Sequence, residues 1–96
     1  MEISERWEVA TGDNSVFLEF NGVENKRSQR PDLHAFILLD ELFPGTSYMV
    51  SAASHDEIYL AIELDRLETL TDGQITELSR CGVRFDSEFD CLCMFV

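Results

Sequence analysis

Two segments of the chain carry the apolar spacing of an amphipathic helix, and the clearer one begins at Pro31. Proline is tolerated in the first turn of a helix, and an acid such as Asp32 complements the helix dipole there. Wound as a helix, the segment has one broad apolar stripe, made of Ala35, Phe36, Leu38, Leu39, Leu42 and Phe43. Pro44 and Gly45 then stop the helix. The pattern predicts a helix over residues 32–43 with this stripe facing the core.

The opposite side of this first predicted helix leaves two alternatives open. It mixes His34, Asp40 and Glu41 with the apolar residues Leu33 and Ile37. Either another element covers this side, or it is an exposed acidic and apolar contact surface.

The second helical segment starts with a capping box. Thr71 can accept a hydrogen bond from the free amides of the first turn, while Gln74 reaches back to the cap. Apolar residues follow at helical spacing as far as Cys81, and Gly82 supplies the C-terminal cap. We predict a helix from Thr71 to about Cys81, preceded by a short helical turn over residues 65–70.

Alternation of apolar and polar residues predicts strands in the rest of the chain. The clearest strand covers residues 57–63, where apolar and polar or small residues alternate. Further strands are predicted over residues 3–10, 15–20, 48–53, 83–85 and 91–96. A turn at 11–14 would join the first two of these into a hairpin, and an acidic turn at 86–90 would join the last two.

This order of elements predicts an α+β fold, with an antiparallel sheet of about four to six strands and two helices packed on one face. The 96 residues are enough for one hydrophobic core but not for two, so we expect residues 1–96 to form a single domain.

The net charge of -12, from nineteen acidic and seven basic residues, is the most informative property of the composition. A disordered acidic tail would have few aromatic residues, whereas this chain has seven Phe, two Tyr and one Trp. The chain therefore folds despite its charge. Such a charge disfavours nucleic acid and anionic membranes as direct partners and favours basic partners.

The acidic residues are unevenly distributed. No Lys or Arg lies between Arg30 and Arg66, and this stretch contains Asp32, Asp40, Glu41, Asp56, Glu57, Glu63 and Asp65. The stretch must therefore contribute an acidic surface, although the alternative is that the acids only confer solubility.

The sequence indicates a protein of the reducing cytoplasm. Residues 1–6 lack the basic and apolar regions of a secretion signal, and no apolar run is long enough to span a bilayer. Cys81, Cys91 and Cys93 are odd in number and cluster near one end, which is a poor disulfide framework. We therefore expect neither export nor membrane insertion.

Residue types used in catalysis are present, but their spacing does not build a catalytic or metal site. Ser54, His55 and Asp56 are adjacent, so their side chains diverge, whereas those of a hydrolytic triad converge. The cysteines lack chelating spacing, and on a strand Cys91 and Cys93 would share one face as small buried hydrophobes. We expect no enzyme activity, no cofactor and no metal.

Carboxylates two residues apart suggest a role in binding. On an extended segment such a pair lies about 6 to 7 Å apart, close to the phosphate spacing of an extended nucleic-acid strand. Glu63 and Asp65 have this spacing, and so do Asp86, Glu88 and Asp90. Rows of such carboxylates could occupy the Arg and Lys sites of a nucleic-acid channel. The alternative is that they belong to solvated strand edges and turns.

In size and charge, the whole chain resembles the small acidic inhibitors made by phages and mobile elements, including anti-CRISPR and other DNA-mimic proteins. The resemblance implies a stoichiometric inhibitor that docks on a basic nucleic-acid-binding surface of a defence complex and blocks target DNA. Sequences of these inhibitors vary so widely that no functional residue is carried over from them.

Two hypotheses about function follow. The first is such a phosphate-mimicking inhibitor, and the second is an acidic immunity, antitoxin-like or regulatory protein that neutralises a basic partner without mimicking DNA. Both imply a basic protein or nucleoprotein complex as the partner, such as a CRISPR effector. The candidate contact residues are Asp40, Glu41, Asp56, Glu57, Glu63, Asp65, Asp86, Glu88 and Asp90. A contact made by the Leu33 and Ile37 side of the first helix would favour the second hypothesis.

Overall fold

Helices and strands alternate in groups along the chain, which makes the fold α+β. The structure, a computed structural model, describes residues 2–45 and 47–95. Its helices are α1 (Ile3–Thr11), α2 (Pro31–Leu42), α3 (Leu64–Leu67) and α4 (Asp72–Arg80), with a 3₁₀ turn at Phe20–Gly22. Its strands are β1 (Val50–Ser54), β2 (Glu57–Leu60), β3 (Val83–Asp86) and β4 (Cys91–Phe95).

The four strands form one antiparallel sheet in the order β1-β2-β4-β3. Each outer strand forms a hairpin with the central strand next to it. Because side chains alternate between the two faces of a sheet, the inner face collects the apolar residues of β2, β3 and β4. These residues are Ile58, Leu60, Val83, Phe85, Leu92 and Met94, and all belong to the core or pack against it.

The helices complete this core. α1 and α4 contact each other, and both contact β3. α2 contributes the fully buried Ala35 and Leu39 to the same cluster. The prediction of two helices on one face is not confirmed, because the described residues form four α-helices.

The predicted strand over residues 3–10 is wrong, because this segment is helix α1. Its buried residues, Ile3, Trp7 and Thr11, are four apart, which places them on one side of a helix. Val9, which alternation would bury, is 70% exposed. The Thr11 hydroxyl also donates to the Trp7 carbonyl at 2.7 Å, and Gly12 ends the helix at a φ of 58°.

The predicted strand over residues 15–20 is also wrong, so the first hairpin does not exist. This segment is a run of turns, in which Asn14 and Leu18 have φ angles of 66° and 63°. Such left-handed angles interrupt an extended chain. The Leu18 amide donates instead to the Ser79 carbonyl at the end of α4, at 3.1 Å.

The other predicted elements are confirmed, with small shifts of their ends. α2 and α4 lie where predicted, and the capping box is present, with Gln74 N–H donating to Thr71 Oγ1 at 3.2 Å. β2 ends at Leu60, earlier than predicted, because the chain then turns into α3. In the predicted strand 91–96, Val96 lies outside the described residues.

Of the helices in the described ranges, none has the length and apolarity needed to cross a bilayer.

Candidate functional site

The basic side chains of this acidic protein bind to the protein itself. Six of the seven make contacts with the chain's own carbonyl groups, carboxylates or aromatic rings. These six are Arg6, Lys26, Arg27, Arg66, Arg80 and Arg84. The positive charge is therefore held against the surface of the fold.

Two arginines show how this arrangement is built. Arg6 on α1 donates to the main-chain carbonyl groups of Glu68 and Leu70, next to α4. Arg66 on α3 donates to the Pro44 carbonyl at 3.2 Å, just after α2. Both guanidinium groups thus connect a helix to a neighbouring segment.

Most of the nine predicted contact acids are exposed. The exposed ones are Asp40, Glu41, Asp56, Glu63, Asp65, Glu88 and Asp90. Glu57 and Asp86 are only partly exposed. The predicted set is therefore mostly exposed, whereas six of the basic side chains are held in contacts with the protein itself.

α3 lies next to two other segments that carry candidate acids, the end of α2 and the β3–β4 turn. Leu64 lines a cavity together with Asp90, which places α3 beside the turn between β3 and β4. The bond from Arg66 to Pro44 places α3 beside the end of α2 as well. These contacts place the end of α2 and the β3–β4 turn next to α3, and we call the exposed acids on these three segments, Asp40, Glu63, Asp65, Glu88 and Asp90, the α3 acidic surface.

Asp56 lies away from this surface. It is in the turn between β1 and β2, and Glu57 next to it pairs with Phe95 at the end of β4. The turn between β3 and β4 adjoins the other end of β4, at Cys91. Four residue steps of strand separate these ends, about 13 Å. Asp56 and the acids of the β3–β4 turn were predicted as parts of one contact set. In the fold they lie at opposite ends of the sheet.

Three of the nine acids have partners that give them a structural role. Glu57 pairs with Arg84 and accepts from the Tyr59 hydroxyl at 3.0 Å. Asp86 accepts from the amide of residue 88 at 2.8 Å and so stabilises the β3–β4 turn. Glu41 pairs with Arg27 at 3.1 Å. These carboxylates are less available to an external partner than the α3 acidic surface.

The expected rows of carboxylates at strand spacing do not form at these positions. Glu63 is the N-cap of α3, and Asp65 lies in its first turn. Glu88 and Asp90 lie in a turn, where Asp90 has a φ of 52°. Acids favour helix starts and turns because they compensate free amides there. The acidic groups are therefore distributed over a curved surface instead of a straight row.

His34 lies on the side of the first helix for which the sequence left burial and exposure open. It is buried, with 0% of its surface exposed. The Arg27 amide donates to its Nδ1 at 3.0 Å, so the proton is on Nε2, which donates to Glu77 Oε2 at 2.7 Å. Leu33 on the same helix is 46% exposed. The side is thus covered at His34 and open at Leu33.

The outer face of the sheet carries an apolar patch that sequence reasoning missed. Tyr59 and Phe89 lie edge to face with ring centroids 5.5 Å apart, and Phe89 is 61% exposed. With Ser51, Ala52 and Cys91 these rings line a cleft of about 330 Å³. The available signal was the predicted sharing of one face by Cys91 and Cys93, which lie two residues apart on β4.

The cysteines are free thiols with raised pKa values. Burial, with a smaller effect of the Glu77 carboxylate, raises the pKa of Cys81 to about 12. Burial also raises the pKa of Cys93 to about 11 and raises the pKa of Cys91. Such thiols are protonated at neutral pH and are therefore poor nucleophiles and metal ligands.

The residues that the sequence suggested as a hydrolytic triad lie at the surface. Ser54, His55 and Asp56 lie exposed where β1 turns into β2. Within residues 2–45 and 47–95, no group of three or more His, Cys, Asp or Glu side chains is placed to hold a metal ion. The surface that is built is acidic, with an apolar patch on the sheet.

Comparison with protein-family models, with curated proteins and with solved structures found no match.

Proposed function

We propose that this protein is a stoichiometric inhibitor that binds a basic nucleic-acid-binding surface of a defence complex. By occupying that surface it blocks nucleic acid, as the anti-CRISPR and other DNA-mimic proteins that it resembles do. The observation that carries the proposal is the direction of the charges. Six basic side chains contact the protein itself, while seven of the nine candidate acids are exposed.

This arrangement strengthens the outward negative field. A guanidinium group held against a main-chain carbonyl, as Arg6 and Arg66 are, presents less of itself to a partner. The acids of the α3 acidic surface face water, where a partner's Arg or Lys can reach them. Attraction between opposite charges then raises the association rate and selects basic partners.

The α3 acidic surface is the proposed centre of the contact. Hydrogen bonds between charged groups are worth about 1.5 to 3 kcal/mol each, so a few of them account for tight binding. Because the acids lie on helix starts and turns, the mimicry is of a charge distribution and not of a phosphate row. Glu57 and Asp86 support the sheet and its turn, so they are secondary contacts in this proposal.

Charge reversal at matched positions tests the proposal. One triple variant carries Asp40→Lys, Glu63→Lys and Glu88→Lys. Its control carries three reversals, at Glu5, Glu19 and Glu24, in residues 1–30, where six acids are accompanied by four bases. All six residues are exposed, and both variants have the same net charge. A partner captured from a host lysate with the natural protein is then titrated with each variant.

We expect the first variant to bind at least a hundredfold more weakly and the control to lose much less. The loss of three contacts of about 1.5 kcal/mol each already corresponds to a larger change in Kd than a hundredfold. Binding should also weaken as salt rises. Equal binding by both variants would contradict a contact centred on the α3 acidic surface. If Leu33→Ser abolished binding instead, the immunity-type alternative would be favoured.

A further inference from the structure

β1 is an open edge of the sheet. The strand order places β1 and β3 at the two edges, and β3 is contacted by α1 and α4. Every residue of β1 is exposed, by contrast. One side of β1 therefore presents backbone N–H and C=O groups to solvent, which is the arrangement that accepts another strand.

The sequence of this edge lacks the charged residues and prolines that commonly protect an edge from strand addition. Residues 47–54 contain no charged residue and no proline, although the chain as a whole is strongly charged. Exposed edges are normally protected by such residues or by bulges. The pairing with β2 is irregular between Val50 and Ala52, but it is regular from Ala52 to Ser54. At least this part of β1 can accept a ladder of hydrogen bonds.

The apolar cleft lies beside this edge. Ser51 and Ala52 of β1 form one of its walls, and the rings of Tyr59 and Phe89 form another. A strand added to β1 would direct alternate side chains onto the outer face, next to the cleft. The cleft can therefore accept an apolar side chain while the backbone of the added strand pairs with β1.

Acidic residues flank the β1 edge at both ends. Asp56 lies in the turn after β1. At the other end, the Ala61 amide donates to the Met49 carbonyl at 2.7 Å, so the exposed Glu63 lies just beyond the start of β1. β1 spans about 17 Å, so both charges lie within reach of a peptide of about seven residues.

We propose that β1 accepts, as a fifth strand, an extended segment of a partner with Lys or Arg at both ends and uncharged residues between. The inference rests on the proposed function in taking the partner to be basic. A second copy of this chain fits less well, because it would bring another charge of -12 beside the same acids. Basic extended segments are common in nucleic-acid-binding proteins, which agrees with the proposed class of partner.

A synthetic peptide tests this inference on the full chain. The probe is Lys-Thr-Val-Thr-Val-Thr-Lys with capped ends, titrated into the isotope-labelled protein and followed by NMR. Amide shifts should concentrate in β1 and around Tyr59 and Phe89, and hydrogen exchange of the β1 amides should slow. The same peptide with Glu at both ends should bind at least tenfold more weakly.

N-methylation of the peptide backbone tests strand pairing directly. A strand added to an edge directs every second amide toward that edge. Methylating one alternate set of amides should therefore abolish binding, while methylating the other set should leave it within about twofold. Equal effects of the two methylated peptides, or shifts that lie outside β1, would overturn the inference.

Protein variants test the cleft. Phe89→Ser should weaken peptide binding about tenfold or more, and Leu33→Ser, which changes an exposed apolar residue on α2, should not change it. A dimer of the free protein with protected β1 amides would assign the edge to a second copy and overturn the proposal. If the partner still depends on the α3 acidic surface while the peptide ignores β1, only this inference fails.

Discussion

At the scale of single residues, His34 is the clearest test of how the core is held together. It lies fully buried between α2 and α4, where it accepts from the Arg27 amide and donates to Glu77. Replacing it by Ala removes both bonds and leaves a cavity. We expect His34→Ala to lower the free energy of unfolding by about 3 kcal/mol, measured by urea denaturation.

Glu77→Gln is the matched control for His34, because the glutamine carbonyl can still accept from Nε2. This substitution should lower the free energy of unfolding by less than about 1 kcal/mol. Similar losses for His34→Ala and Glu77→Gln would show that the charge of Glu77, and not the geometry of the hydrogen bonds, stabilises this contact.

The buried thiols predict a loss of stability at alkaline pH. The pKa of Cys81 is raised from 9.0 to about 12, and that of Cys93 to about 11, chiefly by burial. The folded state therefore favours the neutral thiols. Their full contribution to the free energy of unfolding is present below pH 9. It is lost as pH rises toward 11 to 12, because the unfolded chain ionises first.

The measurement is the melting temperature between pH 8 and pH 11. It should fall less steeply with pH in Cys81→Ala than in the natural protein, whereas Cys91→Ala, at a half-buried position, should change the slope less. Identical slopes in all three proteins would contradict the assignment of this pH dependence to Cys81.

At the scale of elements, local signals decide which parts of the fold the sequence could predict. α2 and α4 were predicted because Pro31 marks the first start and the Thr71 capping box marks the second. α1 has no comparable signal, since its N-cap, Glu2, makes no side-chain cap bond. Its stability comes from contacts with α4 and β3, which are distant in sequence.

The apolar pattern of α1 was misleading for a physical reason. A buried polar residue, Thr11, completes the helical stripe by bonding to the carbonyl of Trp7. Ile3, Trp7 and the exposed Val9 fit an alternating pattern equally well when polarity alone is considered. Tertiary packing therefore overrides a weak local preference here.

At the scale of the whole molecule, the sequence predicted the sign of the surface but not its arrangement. The net charge and the absence of bases between Arg30 and Arg66 are visible in the sequence. The approach of the end of α2 and of the β3–β4 turn to α3 is not, because it depends on the contact of Arg66 with Pro44 and on the position of Asp90. The open edge of β1 depends likewise on the strand order, which alternation does not reveal.

The net charge of -12 predicts how salt affects stability. Repulsion between like charges destabilises the folded state, and about 0.1 M salt reduces it over distances beyond about 10 Å. The melting temperature should therefore rise between low and moderate salt. The triple variant of Asp40, Glu63 and Glu88, with less negative charge, should show a smaller rise. A flat or falling melting temperature would show that the acids are locally compensated.

Competition with nucleic acid tests the central claim most directly. The affinity of the captured partner for its nucleic acid is measured at increasing concentrations of this protein. If the α3 acidic surface occupies the nucleic-acid site, the apparent Kd for nucleic acid rises in proportion to the concentration of the protein, and no complex contains all three components. A ternary complex in which the partner binds nucleic acid with unchanged affinity would contradict the account.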